Sequence, residues 1–190
     1  MKYLIVCPGH SLNTEEIDYG IERVDRWISC NGSYILASGN ICYSSDPAWY
    51  REAWDSISKL PFKEYLCPFD TGIEAVQRVD SSQERLRGTK NDRSLYLGHS
   101  TGYAAIDLAL LRGAKEIYLL GYDMGKNNNN EAHYFGDYPE SIRKESPYDK
   151  FILDFKDYDK TLELFGSSII NCTIDSNLKA FPIKNITEVL

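Results

Sequence analysis

Seven short apolar runs alternate with helical patterns along almost the whole chain, and that alternation leaves few folds open. "KYLIV" (2–6), "RWISC" (26–30), "NICYS" (40–44), "EYLC" (64–67), "SLYL" (94–97), "EIYLLG" (116–121) and "SIINCT" (168–173) are rich in β-branched and aromatic residues and have the length of strands. Between them, Pro47 opens "PAWYREAWDSISKL", where Trp49, Ala53, Trp54 and Ile57 share one helical face. "STGYAAIDLALLRG" (100–113) reads as a helix capped by Ser100 or Thr101 and stopped by Gly113. "SPYDKFILDFKDYDKTLELFG" (146–166) reads as one long helix, with Phe151, Ile152, Phe155, Tyr158, Leu162 and Phe165 in a buried stripe. Strand, helix, strand in this order implies parallel pairing. The expected fold is therefore α/β, Rossmann-like, a mostly parallel sheet with helices on both faces. A chain of 190 residues fits a single domain over 1–190 and buries roughly 70% of its unfolded surface, enough for a core.

Two stretches break the regularity. Residues 68–93 are polar and mixed, with at most a short helix expected. Residues 122–147 follow a strand's carboxyl end and hold glycines, the asparagines 127–130 and several aromatics, the make-up of a lid loop with Gly125 and Gly136 as hinges. The asparagine run itself is expected to be a solvated tip. A formal charge of −7 gives no general attraction to nucleic acid or to an anionic membrane. No segment has the ~20 apolar residues of a membrane span, and the strand-like start carries no cleavable signal, so a cytoplasmic protein is expected. Five cysteines without a C-x-x-C pair read as small buried hydrophobes rather than a disulfide or zinc site.

The tripeptide Gly-His-Ser occurs twice after strand-like runs, as Gly9-His10-Ser11 and as Gly98-His99-Ser100. In an open parallel sheet, ligands sit beyond the carboxyl ends of the strands where the strand order reverses, and both turns are expected on that edge. A glycine turn lets the backbone approach a phosphate, the N–H groups opening the next helix face it, and serine adds a hydroxyl donor. The expected binding residues are thus Gly9, His10, Ser11, Ser100, Thr101 and Gly102. Asn31 and Asp46 end the second and third runs and join them, placed to meet base or ribose, and Asp123 lies just past the "EIYLLG" run. Ser11 and Ser100 also read as plain helix caps. Gly98-His99-Ser100-Thr101-Gly102 additionally spells the G-x-S-x-G of a hydrolase nucleophile elbow, with Ser100 as nucleophile, His133 as base and Asp123 as orienter. That triad is crowded, its acid coming from the very next strand and its histidine only ten positions later.

The order of these motifs resembles bacterial lipooligosaccharide sialyltransferases of the CMP-sialic-acid-dependent type and their short phage and uncharacterised relatives. "PGHSL" followed by "EEIDYG", "ISCN", "HSTGYAAIDLALLRGAKEIYLLGYDM" and "HYFGDYP" carry the resemblance over most of the chain. It implies a GT-A-type, Rossmann-like fold that binds a CMP-sugar with no metal or other cofactor. By position, Gly9 and Ser11 would face the phosphate, Asn31 the cytidine, and Ser100 and Gly102 the phosphate and sugar. Tyr134 and Tyr138 would neutralise the leaving phosphate from the lid after Asp123. The family's catalytic histidine falls on Asp137, which leaves His133 as the nearby imidazole. The expected catalytic pair is accordingly His133 as general base with Asp137 orienting it. An arginine expected before the second turn is matched loosely by Arg93.

The first function is thus a nucleotide-sugar-dependent, sialyltransferase-like transferase, its ligand a nucleotide or CMP-type nucleotide-sugar and its acceptor an unidentified hydroxyl. A homo-oligomer is left open. The alternatives are a nucleotide-binding module without transfer activity, the Ser100 hydrolase, and a pyrophosphokinase-like enzyme holding magnesium on acids such as Asp46 and Asp123.

Overall fold

The computed structural model describes residues 1–82 and 94–190. Its elements run β1 (Lys2–Val6), α1 (Thr14–Ile21), β2 (Arg26–Cys30), a 3₁₀ turn (Asn31–Ile35), β3 (Ile41–Tyr43), α2 (Pro47–Ile57), β4 (Glu64–Cys67), β5 (Gln77–Arg78) and β6 (Ser81–Ser82). They continue with β7 (Leu95–Tyr96), α3 (Thr101–Leu111), β8 (Glu116–Leu120), α4 (Tyr148–Asp154), α5 (Tyr158–Phe165), β9 (Ser168–Asn171) and α6 (Ile186–Val189). A seven-stranded sheet has the order β5-β4-β3-β2-β1-β8-β9, and every neighbouring pair in it is parallel. The chain steps outward from β1 to β5, then returns to place β8 and β9 on the other side of β1. The expected α/β architecture is therefore present, and its reversal of strand order lies between β1 and β8.

The core shows why the strands read as unbroken apolar runs. In β1, Tyr3 and Ile5 pack on one face with Ile28, Leu119 and α3. Leu4 and Val6 pack on the other with Ile17, Tyr118, Leu120 and Ile186. A strand covered on both faces has no solvent side to alternate toward. The third cluster places Trp49, Tyr50 and Ile57 of α2 over Cys42 and Cys67. Helix α3 is buried from Gly102 to Leu110, so it reads as apolar all round rather than as an amphipathic stripe. Its one acid, Asp107, accepts from the Tyr96 N–H and the Tyr158 hydroxyl, which ties β7 and α5 to the central helix.

Four sequence expectations change. "SLYL" forms β7, but it pairs with β6 in a separate two-stranded sheet. The edge of the main sheet is instead β5, from the 68–93 stretch in which no strand was expected. The helix expected after the first Gly-His-Ser turn, α1, starts later than a Ser11 cap would place it: Asn13 caps it by accepting from Glu16 N–H, and only Ile17 and Gly20 of the helix are buried, too few for a clear stripe. The long helix of 146–166 is two, α4 and α5, because Asp157 adopts the left-handed conformation (φ 62°). The break lets Phe155 and Tyr158 both close on Tyr103. All five cysteines are free, and four are buried.

Candidate functional site

The site begins at the reversal point, where β1 and β8 end side by side. Cys7 N–H still donates to Leu120 O (2.9 Å), after which both chains turn on glycine. A Cβ at Gly9 would collide with the Asp123 carboxylate and the Gly121 carbonyl, and one at Gly121 (φ 70°) with the Cys7 carbonyl. Glycine at both positions is what lets the turns touch. Asp123 then locks them: its Oδ1 accepts from Ser11 N–H (3.1 Å) and lies 3.3 Å from His10 Nε2.

The second Gly-His-Ser turn is held the same way by a different acid. Asp154 of α4 accepts from the His99 N–H (2.7 Å) and pairs with His99 Nδ1 (2.8 Å). Ser100 caps α3, its hydroxyl oxygen accepting from Tyr103 N–H (3.1 Å), so its own hydrogen stays available. The Thr101 hydroxyl accepts from Ser45 N–H (3.3 Å) and joins the end of β3 to the start of α3. Beneath, Tyr122 donates its hydroxyl to Gly102 O (2.9 Å).

Between the turns lies a cavity of about 450 Å³, the size of a small-ligand site. Gly9, Asn31, Asp46, Asp123 and the Ser100-Thr101-Gly102 start of α3 line it, as do His133 and Tyr138. Two acceptors stand without a partner there, Asn31 Oδ1 and Asp123 Oδ2. Asn31 adopts a left-handed conformation (φ 48°) at the end of β2, and Asp123 is only 4% exposed. Buried polar atoms normally have partners; these two are sealed within the walls of the cavity, Asp123 Oδ2 against Gly9, where a Cβ would meet it.

Segment 133–144 covers the cavity and is anchored on several elements. Gly9 and His133 form an antiparallel bridge, and Tyr134 N–H donates to Pro8 O. His133 Nδ1 lies 3.3 Å from Pro8 O; a carbonyl only accepts, so this contact places the proton on Nδ1 and leaves Nε2 with its lone pair. Burial holds the His133 pKa below the usual histidine value, against the Pro8 carbonyl, Asp137 and Asp123, which favour the charged form. The two tyrosines differ in use. Tyr134 donates its hydroxyl to Gly32 O (3.0 Å), and burial pushes its pKa up to about 12. Tyr138 accepts from Gly32 N–H (3.1 Å) and keeps its hydroxyl hydrogen; burial raises its pKa as well.

Of the expected residues, His10, Ser11, Tyr134 and Asp137 do not line the cavity. His10 and Ser11 are held by Asp123, and Tyr134 packs in the core layer of β1 and β8. Asp137 is exposed and pairs with Arg143 (3.7 Å), and no hydrogen bond joins it to His133 among the described residues, so it does not orient that ring. The hydrolase triad is likewise not assembled: no hydrogen bond links Ser100 to His133 or His133 to Asp123 among the described residues. The acids suggested for magnesium are separately engaged, Asp46 with Ala48 N–H and Lys144 and Asp123 with the first turn. No cluster of three His, Cys, Asp or Glu forms among the described residues. Arg93 lies outside the described residues. Sequence reasoning missed Gly121, signalled by a glycine directly after an apolar strand, and Asp154 and Lys144, which carry no local signal.

No family model matches the chain, and no curated protein does. Among solved structures, the sialyltransferase CstII from Campylobacter jejuni, in complex with the substrate analogue cytidine-5'-monophosphate, is similar at 14% identity and TM-score 0.59, covering 96% of this chain and 84% of that one. The MAf glycosyltransferase from Magnetospirillum magneticum AMB-1 is similar at 17% identity and TM-score 0.61, over 100% of this chain and 34% of that one. The fold is thus glycosyltransferase-like. Among the described residues no helix is long and apolar enough to cross a membrane.

Proposed function

We propose that this cavity binds the nucleotide part of a CMP-type sugar donor and that the protein is a sialyltransferase-like glycosyltransferase. The observation that carries the reading is the cavity at the reversal of strand order between β1 and β8, lined together by the Gly9 turn, Asn31 and the helix start at Ser100-Thr101-Gly102. Asn31 and Asp46, which line it, suit the amine and hydroxyl groups of a nucleoside. The N–H groups opening α3 and the Ser100 hydroxyl suit a phosphate. The likeness to two glycosyltransferase structures supports the same assignment.

In this reading the acceptor hydroxyl oxygen attacks the anomeric carbon of the sugar. Its proton passes to His133 Nε2, and the bond from that carbon to the phosphate oxygen breaks, the nucleotide leaving with the electron pair. The Tyr138 hydroxyl and the α3 N–H groups stabilise the charge that develops on the leaving phosphate. No step is assigned to a metal. One observation favours a second reading, a nucleotide-binding module without transfer: the aspartate at the family's histidine position points away from the cavity, to Arg143. Release of CMP from a CMP-sugar in the presence of a chelator separates the two. The transferase reading expects wild-type turnover that falls by ~10²–10⁴-fold in His133→Ala with CMP affinity kept. CMP binding without turnover would support the module.

A further inference from the structure

A phosphate ligand would enter this cavity against its charge. Among the described residues that line it, the carboxylates are Asp46 and Asp123, and Lys144 is the single lysine or arginine. A phosphate monoester adds about −1.5 to −2 at neutral pH. The helix N–H groups and hydroxyls offer donors but no full positive charge.

Lys144 is placed to supply it. Its ammonium sits 2.7 Å from Asp46 Oδ2, on a side chain that is largely exposed. The other Asp46 oxygen accepts from Ala48 N–H (2.9 Å) as the cap of α2, so Asp46 retains a partner when the lysine leaves. An exposed ammonium on a flexible four-carbon stem exchanges partners readily, since surface ion pairs are weak. Lys144 also ends the segment that carries His133 and Tyr138 over the cavity. The same segment is anchored to α2 through the Ser141 hydroxyl on Glu52 (3.1 Å). A move from Asp46 to a ligand would therefore occur at the cavity mouth without undocking that segment.

We propose that Lys144 is the phosphate-recognising cation of this site, held on Asp46 in the free protein and transferred to the ligand's phosphate on binding. The inference rests on the nucleotide reading of the cavity and gives it a charge-recognition element.

The test compares calorimetric affinities of CMP and cytidine for wild type, Lys144→Met and Lys144→Arg, each checked for an unchanged melting temperature. Wild type is expected to bind CMP more tightly than cytidine. Lys144→Met is expected to weaken CMP by roughly tenfold or more, the range of a charged hydrogen bond, while cytidine moves less than about twofold; Lys144→Arg restores most of the loss. Raising the salt on wild type should weaken CMP and spare cytidine, which checks the idea without a substitution. Unchanged CMP affinity in Lys144→Met overturns the inference, and so does an equal loss of both ligands, which marks a structural latch. Equal wild-type affinity for CMP and cytidine defeats the role of Lys144 alone. Wild type binding neither ligand overturns the nucleotide reading, and this inference falls with it.

Discussion

At the scale of single residues, the proposed transfer turns on which imidazole nitrogen is free. With Nδ1–H of His133 given to Pro8 O, only Nε2 can take a proton from an acceptor hydroxyl. Burial keeps the ring neutral to lower pH than an ordinary histidine. The acid limb of the pH–rate profile for kcat/KM is therefore expected below about 6.5, the unperturbed value; a limb at or above it would contradict the assignment. The same shift acts on stability. The unfolded chain binds the proton more readily, so this contribution is fully present above about pH 6.5 and is lost as pH falls through the lower folded value. Equilibrium unfolding of wild type and His133→Gln against pH should differ in slope within that window and nowhere else. Asp137, exposed and paired with Arg143, should tolerate Asn with turnover changed less than about twofold on the scale where a general base counts for 10²-fold or more. Ser100→Ala should cost about 1 kcal/mol of stability through the lost cap and weaken nucleotide binding. A fluorophosphonate that labelled Ser100 stoichiometrically would restore the hydrolase.

At the scale of elements, the turns and breaks decide more than the strands do. Gly9→Ala must push the β1 turn off Gly121 and Asp123, an overpacking expected to cost roughly 1–3 kcal/mol, measurable by urea denaturation, with nucleotide affinity lost alongside. Asp157→Gly is expected to do the reverse, stabilising by up to about 1 kcal/mol, because glycine adopts the left-handed conformation (φ 62°) without the Cβ penalty. These two sites also show what the sequence does and does not reveal. "KYLIV" and "EIYLL" were legible because strands covered on both faces are apolar throughout, and Asp46-Pro47 announced α2 because capping chemistry is local. The split at Asp157 was hidden, since the apolar spacing runs through it and only the packing of Phe155 and Tyr158 around Tyr103 selects a break. β5 was equally hidden: it has two exposed residues, and its pairing comes from β4 alone. In the site, the glycine turn at Gly9 and the Ser100 cap were legible by their local chemistry, whereas Ser11, expected at the ligand, is held by Asp123 instead. Lys144 reaches Asp46 across 98 positions of chain and Asp154 reaches His99 across 55, distances over which no local pattern survives.

At the scale of the whole molecule, the strand order puts the crevice at β1 and β8, and everything assigned to the ligand follows from that placement. Asn31 arrives from β2, Asp46 from β3, the N–H groups proposed to hold the phosphate from α3, and the covering segment from the chain after β8. A protein of net charge −7 gains no nonspecific help in drawing a phosphate ligand, so its affinity must come from these few groups. The decisive measurement is a thermal-shift titration with CMP, CDP, UDP, GDP and NAD in the presence of a chelator. A ligand at 100 times its dissociation constant adds about 2.7 kcal/mol of stability, and for a domain of this size about 2–4 °C per kcal/mol, so binding is easily seen. The expected result is a rise in Tm of several degrees with CMP, the largest in the panel, unaffected by chelator. No shift with any nucleotide, or a shift that appears only with added magnesium, would contradict a metal-free cytidine-nucleotide site between β1 and β8.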